Sequence, residues 1–306
     1  MQRYFLSKLG QSALLLFGVL LLVFVMVRLT GDPARLMMPR EAPPEAIEAF
    51  REAMGFNDPL LTQFVRFISG AVVGDFGNSL HFKTPALPLV LERLPATLQL
   101  ATAAILMAIV VGIPLGLVGG FNPGRATDNF GRVIALLGQS IPNFWLALLL
   151  ILYFAVRLGW FPSFGRDEPK SVILPAFVLG ISTMGQILRL TRSTVLEIRG
   201  EDFIRTAHSK GLEPRTIYVK HVLRNVAIPL VSVIGVQFGY MLGGSIYIEF
   251  IFSWPGMGQL LEQSVGWRDF PLVQAIAVFT SVVVLGLNLL TDVAYAVIDP
   301  RIRYGK

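Results

Sequence analysis

Residues 193–229 read STVLEIRGEDFIRTAHSKGLEPRTIYVKHVLRNVAIP. The cations Arg199, Arg205, Lys210, Arg215, Lys220 and Arg224 are interspersed there with Glu197, Glu201, Asp202 and Glu213. Long apolar runs flank this charged stretch on both sides. It reads as two short amphipathic helices. The first is predicted over Glu201–Lys210. Acidic residues at its start and Lys210 near its end suit the helix dipole, and Gly211 suits a left-handed stop. The second opens at Pro214 after Glu213, and Pro229 marks entry to the next apolar run. A short stiff helix across a membrane face transmits a push, and a slack loop does not. The stretch is therefore predicted to dock a partner, the simpler alternative being a basic connector with incidental helicity.

The 306 residues are 54% hydrophobic and 15% charged, with a mean hydropathy of +0.63. Soluble domains carry about 25% charged residues. The apolar residues come in blocks: Leu9–Leu29, Thr97–Val118, Val133–Val156, Ser171–Leu190, Val226–Tyr247 and Val273–Val297. Each approaches the roughly 20 residues that cross a bilayer core about 30 Å thick. The fourth is the weakest, interrupted by Pro175, Gly180, Gln186 and Arg189. Too few charges remain to cover these helices as a soluble core. The first run follows Arg3 and Lys8 and is longer than a signal-peptide core, with no small-x-small site after it. It is expected to stay as an uncleaved span.

With the N-terminus inside, the connectors 1–8, 119–132, 189–225 and 298–306 hold 15 Lys/Arg and 6 Asp/Glu. The opposite segments 30–96, 157–170 and 248–272 hold 10 and 13. The short connectors place both termini in the cytoplasm. The formal charge of +6 is thus asymmetry across a membrane, and not a nucleic-acid footprint. There is no cysteine, and His81, His208 and His221 have no ligand spacing, which argues against a metal site.

Residues 31–96 form an external helical subdomain between the first span (1–30) and a five-helix core (97–306), whose cytoplasmic loop covers about 193–225. Pro43 and Pro44 open a helix over Glu45–Met54, closed by Gly55. Pro59 opens another, with Leu60, Leu61, Phe64, Val65 and Ile68 on one face and Gly70 as its stop. A turn-rich loop, Gly74–Asn78, precedes a short amphipathic piece over Pro85–Arg93. Trp254, Pro255 and Gly256 make a sharp turn in the last external loop.

Several spans carry polar residues that lipid-facing helices do not need. Gln139, Ser140 and Asn143 lie near the start of the third, Ser182, Thr183 and Gln186 in the fourth. Asn288 and Asp292 are four apart in the sixth. Gly235, Gly239 and Gly243 mark one face of the fifth for close approach, for packing within the chain rather than as a dimer seam. These features suit a bundle that lines a path. No phosphate-binding loop, zinc helix or nucleophile elbow is present, so the energy must come from elsewhere. Paired repeats and midplane ionisable residues, usual in a secondary transporter, are also missing.

The chain resembles the inner-membrane permease subunits of binding-protein-dependent ABC importers of the dipeptide/oligopeptide/nickel group. Arg205-Thr206-Ala207-x-x-x-Gly211 stands where that superfamily has Glu-Ala-Ala-x-x-x-Gly, and 201–211 and 221–229 are close to the peptide-group version. Gly31-Asp32-Pro33-Ala34, Gly74-Asp75-Phe76-Gly77, Gly243-Gly244-Ser245-Ile246, Phe252-x-Trp254-Pro255-Gly256-x-Gly258 and Asp299-Pro300-x-Ile302-Arg303 extend the likeness over the chain. Arg205 and Thr206 depart from the general loop, and Arg224 stands where proline is usual.

The resemblance implies an all-α polytopic membrane protein with six transmembrane helices, the type I importer permease fold. It implies an inner-membrane, non-enzymatic subunit that forms half of a path for di- or oligopeptides. Glutathione, nickel chelates or oligosaccharides are the alternative cargoes, and a stand-alone secondary transporter is the rival class. Its implied partners are a second homologous permease in a heterodimer, two ABC ATPases, an extracytoplasmic solute-binding protein and membrane lipids, but no nucleic acid. This chain would bind no cofactor, with ATP and Mg held by the ATPases. Glu201, Asp202, Arg205, Thr206, Ala207, Lys210 and Gly211 would form the coupling helix. Gln139, Asn143, Gln186, Asn288 and Asp292 are the candidate path residues. Asp75, Phe76 and Trp254 are the candidate contacts with the binding protein.

Overall fold

The computed structural model describes residues 2–29, 31–38, 41–213, 216–217 and 222–298. Among them the chain is all-α, with one isolated antiparallel bridge between Asn78 and Pro85. The helices are α1 (Gln2–Leu29), α2 (Pro33–Met37), α3 (Pro44–Ala53), α4 (Leu60–Val73), α5 (Ala86–Phe121) and α6 (Ala126–Ser140). They continue with α7 (Asn143–Leu150), α8 (Ile173–Arg199), α9 (Asp202–Ser209), α10 (Leu223–Ile251), α11 (Met257–Gly266) and α12 (Phe270–Ile298). Residues Ile151–Arg157 extend α7 as a π turn, and Pro169–Val172 leads into α8 as a 3-10 turn. Among the described residues five helices are long and apolar enough to cross a membrane, and the pair Ala126–Ser140 and Asn143–Arg157 makes a sixth passage if counted together. The chain is a multi-pass membrane protein.

Two compact units can be distinguished, one of Met1–Thr97 with Pro255–Gly286, the other of Leu98–Trp254 with Leu287–Lys306. In the first, Ala86 and Val90 of α5 pack with Met257 and Leu260 of α11 and Leu272 and Ile276 of α12. The buried face of α1, Leu20, Val23, Phe24 and Val27, recurs at helical spacing. Asp32 caps α2 by accepting the Ala34 N–H at 3.1 Å, and it also pairs with Arg51 of α3. That hydrogen bond raises the Arg51 guanidinium further above its ordinary range.

The second unit is organised around α8. Between 169 and 199 this helix is 67% buried in its most apolar stretch, against 29% for α10, which has the same hydropathy. The residues that interrupt α8 as a sequence are its contact surface. A Cβ on Gly180 would stand 2.6 Å from the Ala104 carbonyl oxygen of α5, and one on Gly185 3.0 Å from that of Ala135 of α6. Small residues here let backbones approach as bulkier ones would not. Gln186 and Arg189 lie on the same helix without breaking it.

Four expectations need correction. The third span is not straight: α6 and α7 meet at 106°. Pro142 forces Ile141 into extended geometry (φ −87, ψ 124) and ends α6. The amphipathic piece at Pro85–Arg93 is not separate, because α5 runs 36 residues without a break. At 1.5 Å per residue it is about 54 Å long, more than the bilayer core. Gly70 does not stop α4. The Asp75 N–H donates to the Gly70 carbonyl at 2.8 Å while Gly74 takes φ +79, so Gly74 is the left-handed terminator. Gly70 is small because that returning Asp75 carbonyl would lie 2.6 Å from a Cβ. Finally, α10 begins at Leu223, which places Pro229 inside it rather than at its start.

Candidate functional site

The charged elbow is built from the end of α8 outward. Gly200 closes α8, its N–H donating to the Glu197 carbonyl at 3.1 Å. The Glu201 carbonyl then accepts from Ile204 and Arg205 at 3.1 and 3.3 Å, starting α9. Ile204 and Ala207 are buried and pack with Val195, Ile198, Ile217, Val222 and Val226. The opposite face carries exposed Glu201, Asp202, Phe203, Arg205, Thr206, Ser209 and Lys210. Thr206 donates its hydroxyl to the Asp202 carbonyl at 2.9 Å and Ser209 to that of Arg205 at 3.0 Å. Gly211 takes φ +72, and the Leu212 N–H returns to the Ala207 carbonyl at 3.3 Å. The helix expected over Glu201–Lys210 with a glycine stop is therefore present as α9. The second amphipathic helix, expected from Pro214, falls largely outside the described residues.

A cleft of ≈ 570 Å³ opens beside α9, with Phe121, Arg199, Asp202 and Arg205 among its lining residues. Its walls are held by two anchors. Arg199 donates to the carbonyls of Gly120 and Phe121 at 3.1 and 3.2 Å, neutralising the end of α5. About two turns earlier on α8, Arg192 grips Asp128 of α6 with its Nε and one terminal nitrogen, at 2.5 and 3.0 Å. Asp128 is 1% exposed and also accepts the Gly124 N–H at 2.9 Å. Bidentate geometry with an added backbone donor satisfies a buried carboxylate that would otherwise be costly. The elbow is thus a stiff continuation of α8 tied to α5 and α6.

The candidate path residues divide. Arg189 donates to Gln139 of α6 at 2.8 Å, and Gln237 of α10 donates to Gln186 at 2.5 Å. Positions 186 and 189 are three apart, so α8 gathers both polar pairs on one face. Asn143 lies beyond the 106° bend at the start of α7, half-buried. Asn288 is exposed on α12, and the side chain of Asp292 lies outside the described residues. Gly235 of α10 packs closely on Thr291 of α12, while Gly243 and Gly244 meet nothing within 4 Å.

Of the candidate binding-protein contacts, Asp75 is exposed and accepts the Gly77 N–H at 2.9 Å. Phe76 is half-buried against the cluster that holds Ala86 and Leu272. Trp254 is not a surface residue: it is 1% exposed. Ser253 takes φ +47, the Trp254 N–H donates to the Glu249 carbonyl at 2.8 Å, and Arg166 stands 5.8 Å from its ring centroid. The turn therefore folds the indole inward.

Sequence reading missed three residues of the anchors and path: Asp128, Arg192 and Gln237. The first two are 64 positions apart, and neither has a local motif. The only signal for Asp128 is a carboxylate four residues after Gly124 at a helix start. Gln237 lay two residues from Gly235 in a span read for its glycines.

Residues 112–304 match the family described as binding-protein-dependent transport system inner membrane component. Residues 1–101 match the N-terminal family of such membrane components. The chain is 40% identical over 305 residues to the glutathione transport system permease protein GsiC of Escherichia coli (strain K12), covering 99% of this chain and 100% of that protein. It is equally similar to GsiC of Shigella dysenteriae serotype 1 (strain Sd197), with the same identity and coverage. Among solved structures, the inward-facing MetNI methionine ABC transporter aligns with a TM-score of 0.57 at 20% identity, over 69% of this chain and 96% of that one. An amino acid ABC transporter solved with histidines aligns with a TM-score of 0.52 at 18% identity, over 68% and 93%. These two likenesses establish the fold alone.

Proposed function

This chain belongs to the family of inner-membrane permease components of binding-protein-dependent ABC importers, and from that premise we propose that it conducts a short peptide of the glutathione type and is driven through α9. Permeases of this kind are not enzymes, and separate subunits hydrolyse ATP. Glu201, Asp202, Arg205, Thr206 and Lys210 present the charged face of α9 to a cytoplasmic ATPase. Ile204 and Ala207 fasten the helix to the end of α8, and Gly211 fixes where it stops. ATP and Mg belong to that partner. Closure of two ATPases draws two such elbows together and tilts α8, and the polar pairs Gln139–Arg189 and Gln186–Gln237 shift with it. The single observation carrying this reading is a helix exposed and charged on one face and buried in the α8 core on the other.

A second, related permease completes the path. On α10, Val236, Tyr240, Gly243, Tyr247 and Phe250 form one stripe at helical spacing and are all exposed. Its glycine permits a close helix crossing. Both termini face the cytoplasm, as the Lys/Arg balance of the short connectors requires. The external region around Asp75 and Phe76 helps seat the solute-binding protein.

The cargo is inferred from the permeases of glutathione systems that the chain is similar to, with other di- or oligopeptides as the broader class. Proteoliposomes holding the permease pair, its ATPases and its binding protein should accumulate labelled glutathione only when ATP is supplied. Accumulation of a dipeptide in preference to glutathione would move the cargo to the broader class. Accumulation of either by this chain without an ATPase would overturn the reading.

A further inference from the structure

We propose that α4 lies in the bilayer, in the leaflet at the C-terminal end of α1, with Leu61, Val65, Ile68 and Val72 against lipid acyl chains. Helical positions advance by about 100° per residue. On that wheel the apolar residues of α4, apart from the terminal Val73, occupy one arc of about 160°. One half of the arc holds Phe64, Phe67 and Ala71, the other Leu61, Val65, Ile68 and Val72. The first half packs on α1. The Phe64 ring lies 5.9 Å from that of Phe17 and 5.0 Å from that of Phe24, and Phe67 lies 6.0 Å from Phe24. Most of the second half is uncovered: Leu61 and Val72 are 73% and 79% exposed and Val65 58%, while Ile68 is half-buried at the border of the two halves.

Depth follows from these contacts. Phe64 sits between Phe17 and Phe24, level with the middle of that stretch of α1. At 1.5 Å per residue this is about 13 Å below Leu29, where the apolar run ends. A bilayer core about 30 Å thick reaches that level from either side. On the wheel of α1 the exposed apolar residues Leu14, Leu21 and Val25 stand beside the Phe17–Phe24 contact, so an apolar surface open to lipid begins where α4 is seated. Water at the uncovered arc of α4 would meet a run of exposed apolar side chains, which acyl chains cover without that contact.

The polar side chains agree with this placement. Thr62, Arg66 and Ser69 recur at helical spacing on the side away from the apolar arc. Arg66 pairs with Asp58 at 2.7 Å, and Ser69 donates to the Arg66 carbonyl at 2.9 Å. Gln63 is buried, donates to the carbonyls of Phe56 and Asp58 at 2.9 and 2.7 Å, and accepts from Arg28. Arg28 also donates to the Phe24 carbonyl at 3.2 Å and stands over the Phe24 ring. Polar groups near hydrocarbon must be satisfied by protein in this way.

The chain has no cysteine, so single spin labels can be placed on it once any cysteines of the partner subunits are replaced by serine. Leu61→Cys, Val65→Cys and Val72→Cys, with Glu45→Cys on α3 as the aqueous control, are made in the full transporter and reconstituted in phosphatidylglycerol–phosphatidylethanolamine liposomes. The ratio of oxygen to charged nickel-complex accessibility should be about tenfold higher at 61, 65 and 72 than at 45. A nickel-dominated signal at those sites would place α4 in water and overturn the proposal. Protection from both reagents would mean a protein cover and would overturn it equally. In the unsubstituted transporter, a phospholipid with a diazirine in its acyl chain should form adducts within 60–73. Adducts on α1 with none on α4 would also reject the assignment.

Discussion

Among the described residues two aspartates are almost fully buried, Asp128 in the α8 unit and Asp269 in the unit that holds α1, and they are satisfied by opposite means. Asp128 faces a bidentate arginine, a second arginine, Arg132, at 3.6 Å, and one backbone N–H. Asp269 accepts only neutral donors: the Ser79 hydroxyl, the His81 N–H at 3.1 Å and the Leu272 N–H at 3.3 Å. The first joins two helices beside the elbow. The second latches the 79–82 loop onto the start of α12. A charged pair resists splaying because either partner alone is left costly in a low dielectric. A set of neutral hydrogen bonds can be lost one at a time. The contrast places a charged joint between α6 and α8, about two turns before α8 gives way to α9.

The sharpest way to break this comparison is Arg192→Leu. It leaves the buried Asp128 carboxylate without its bidentate partner and with only the longer, more exposed Arg132 contact at 3.6 Å, and thermal unfolding in detergent should show a loss of about 3 kcal/mol. The double variant Asp128→Leu/Arg192→Leu should recover much of that loss, since no lone charge remains. Recovery of nothing would mean that the pair acts only through packing. Gly180→Val tests the neighbouring contact of α8 with α5. With the Ala104 carbonyl 2.6 Å from the new Cβ, the same assay should register about 1–3 kcal/mol. Ser79→Ala removes one of three neutral donors to Asp269, and the expected cost is about 1 kcal/mol. A loss as large as that of Arg192→Leu would erase the distinction between the two aspartates. The smallest stability effect belongs to Arg205→Glu on the exposed face of α9, within about 0.5 kcal/mol. Its consequence should appear instead in co-purification, with ATPase association weakened; wild-type yield of the complex would contradict that.

Hydropathy made the number of membrane passages legible, because apolar length is what a bilayer selects. It did not rank them by importance. The block read as weakest became α8, the most enclosed span, because Gly180 and Gly185 interrupt hydropathy at the points where they admit α5 and α6. Pro142 was visible, yet whether a proline kinks a helix or ends it depends on what packs beyond it. Here Ile141 is extended and the chain turns by 106°.

At the candidate site, α9 was legible from local chemistry alone: acidic residues at its start, a lysine before a glycine, and a two-sided wheel. The anchor Asp128–Arg192 was not, because its partners meet only through the packing of α6 on α8. Trp254 was misplaced for a related reason. Aromatic residues in an external loop suggest an exposed surface, but a left-handed Ser253 turns this one inward. Local signals fix helices and their ends, while burial and pairing follow from contacts far apart in the chain.

The central claim is that motion enters through α9 and that Gly211 sets its end. Gly211 takes φ +72, which proline, locked near −65°, cannot adopt. Gly211→Pro should insert and assemble with its partners, and the ATPases should still hydrolyse ATP. Cargo uptake by the reconstituted transporter should fall at least about tenfold, as expected for a barrier raised by 1.4 kcal/mol or more. Unchanged uptake per ATP hydrolysed would contradict the account.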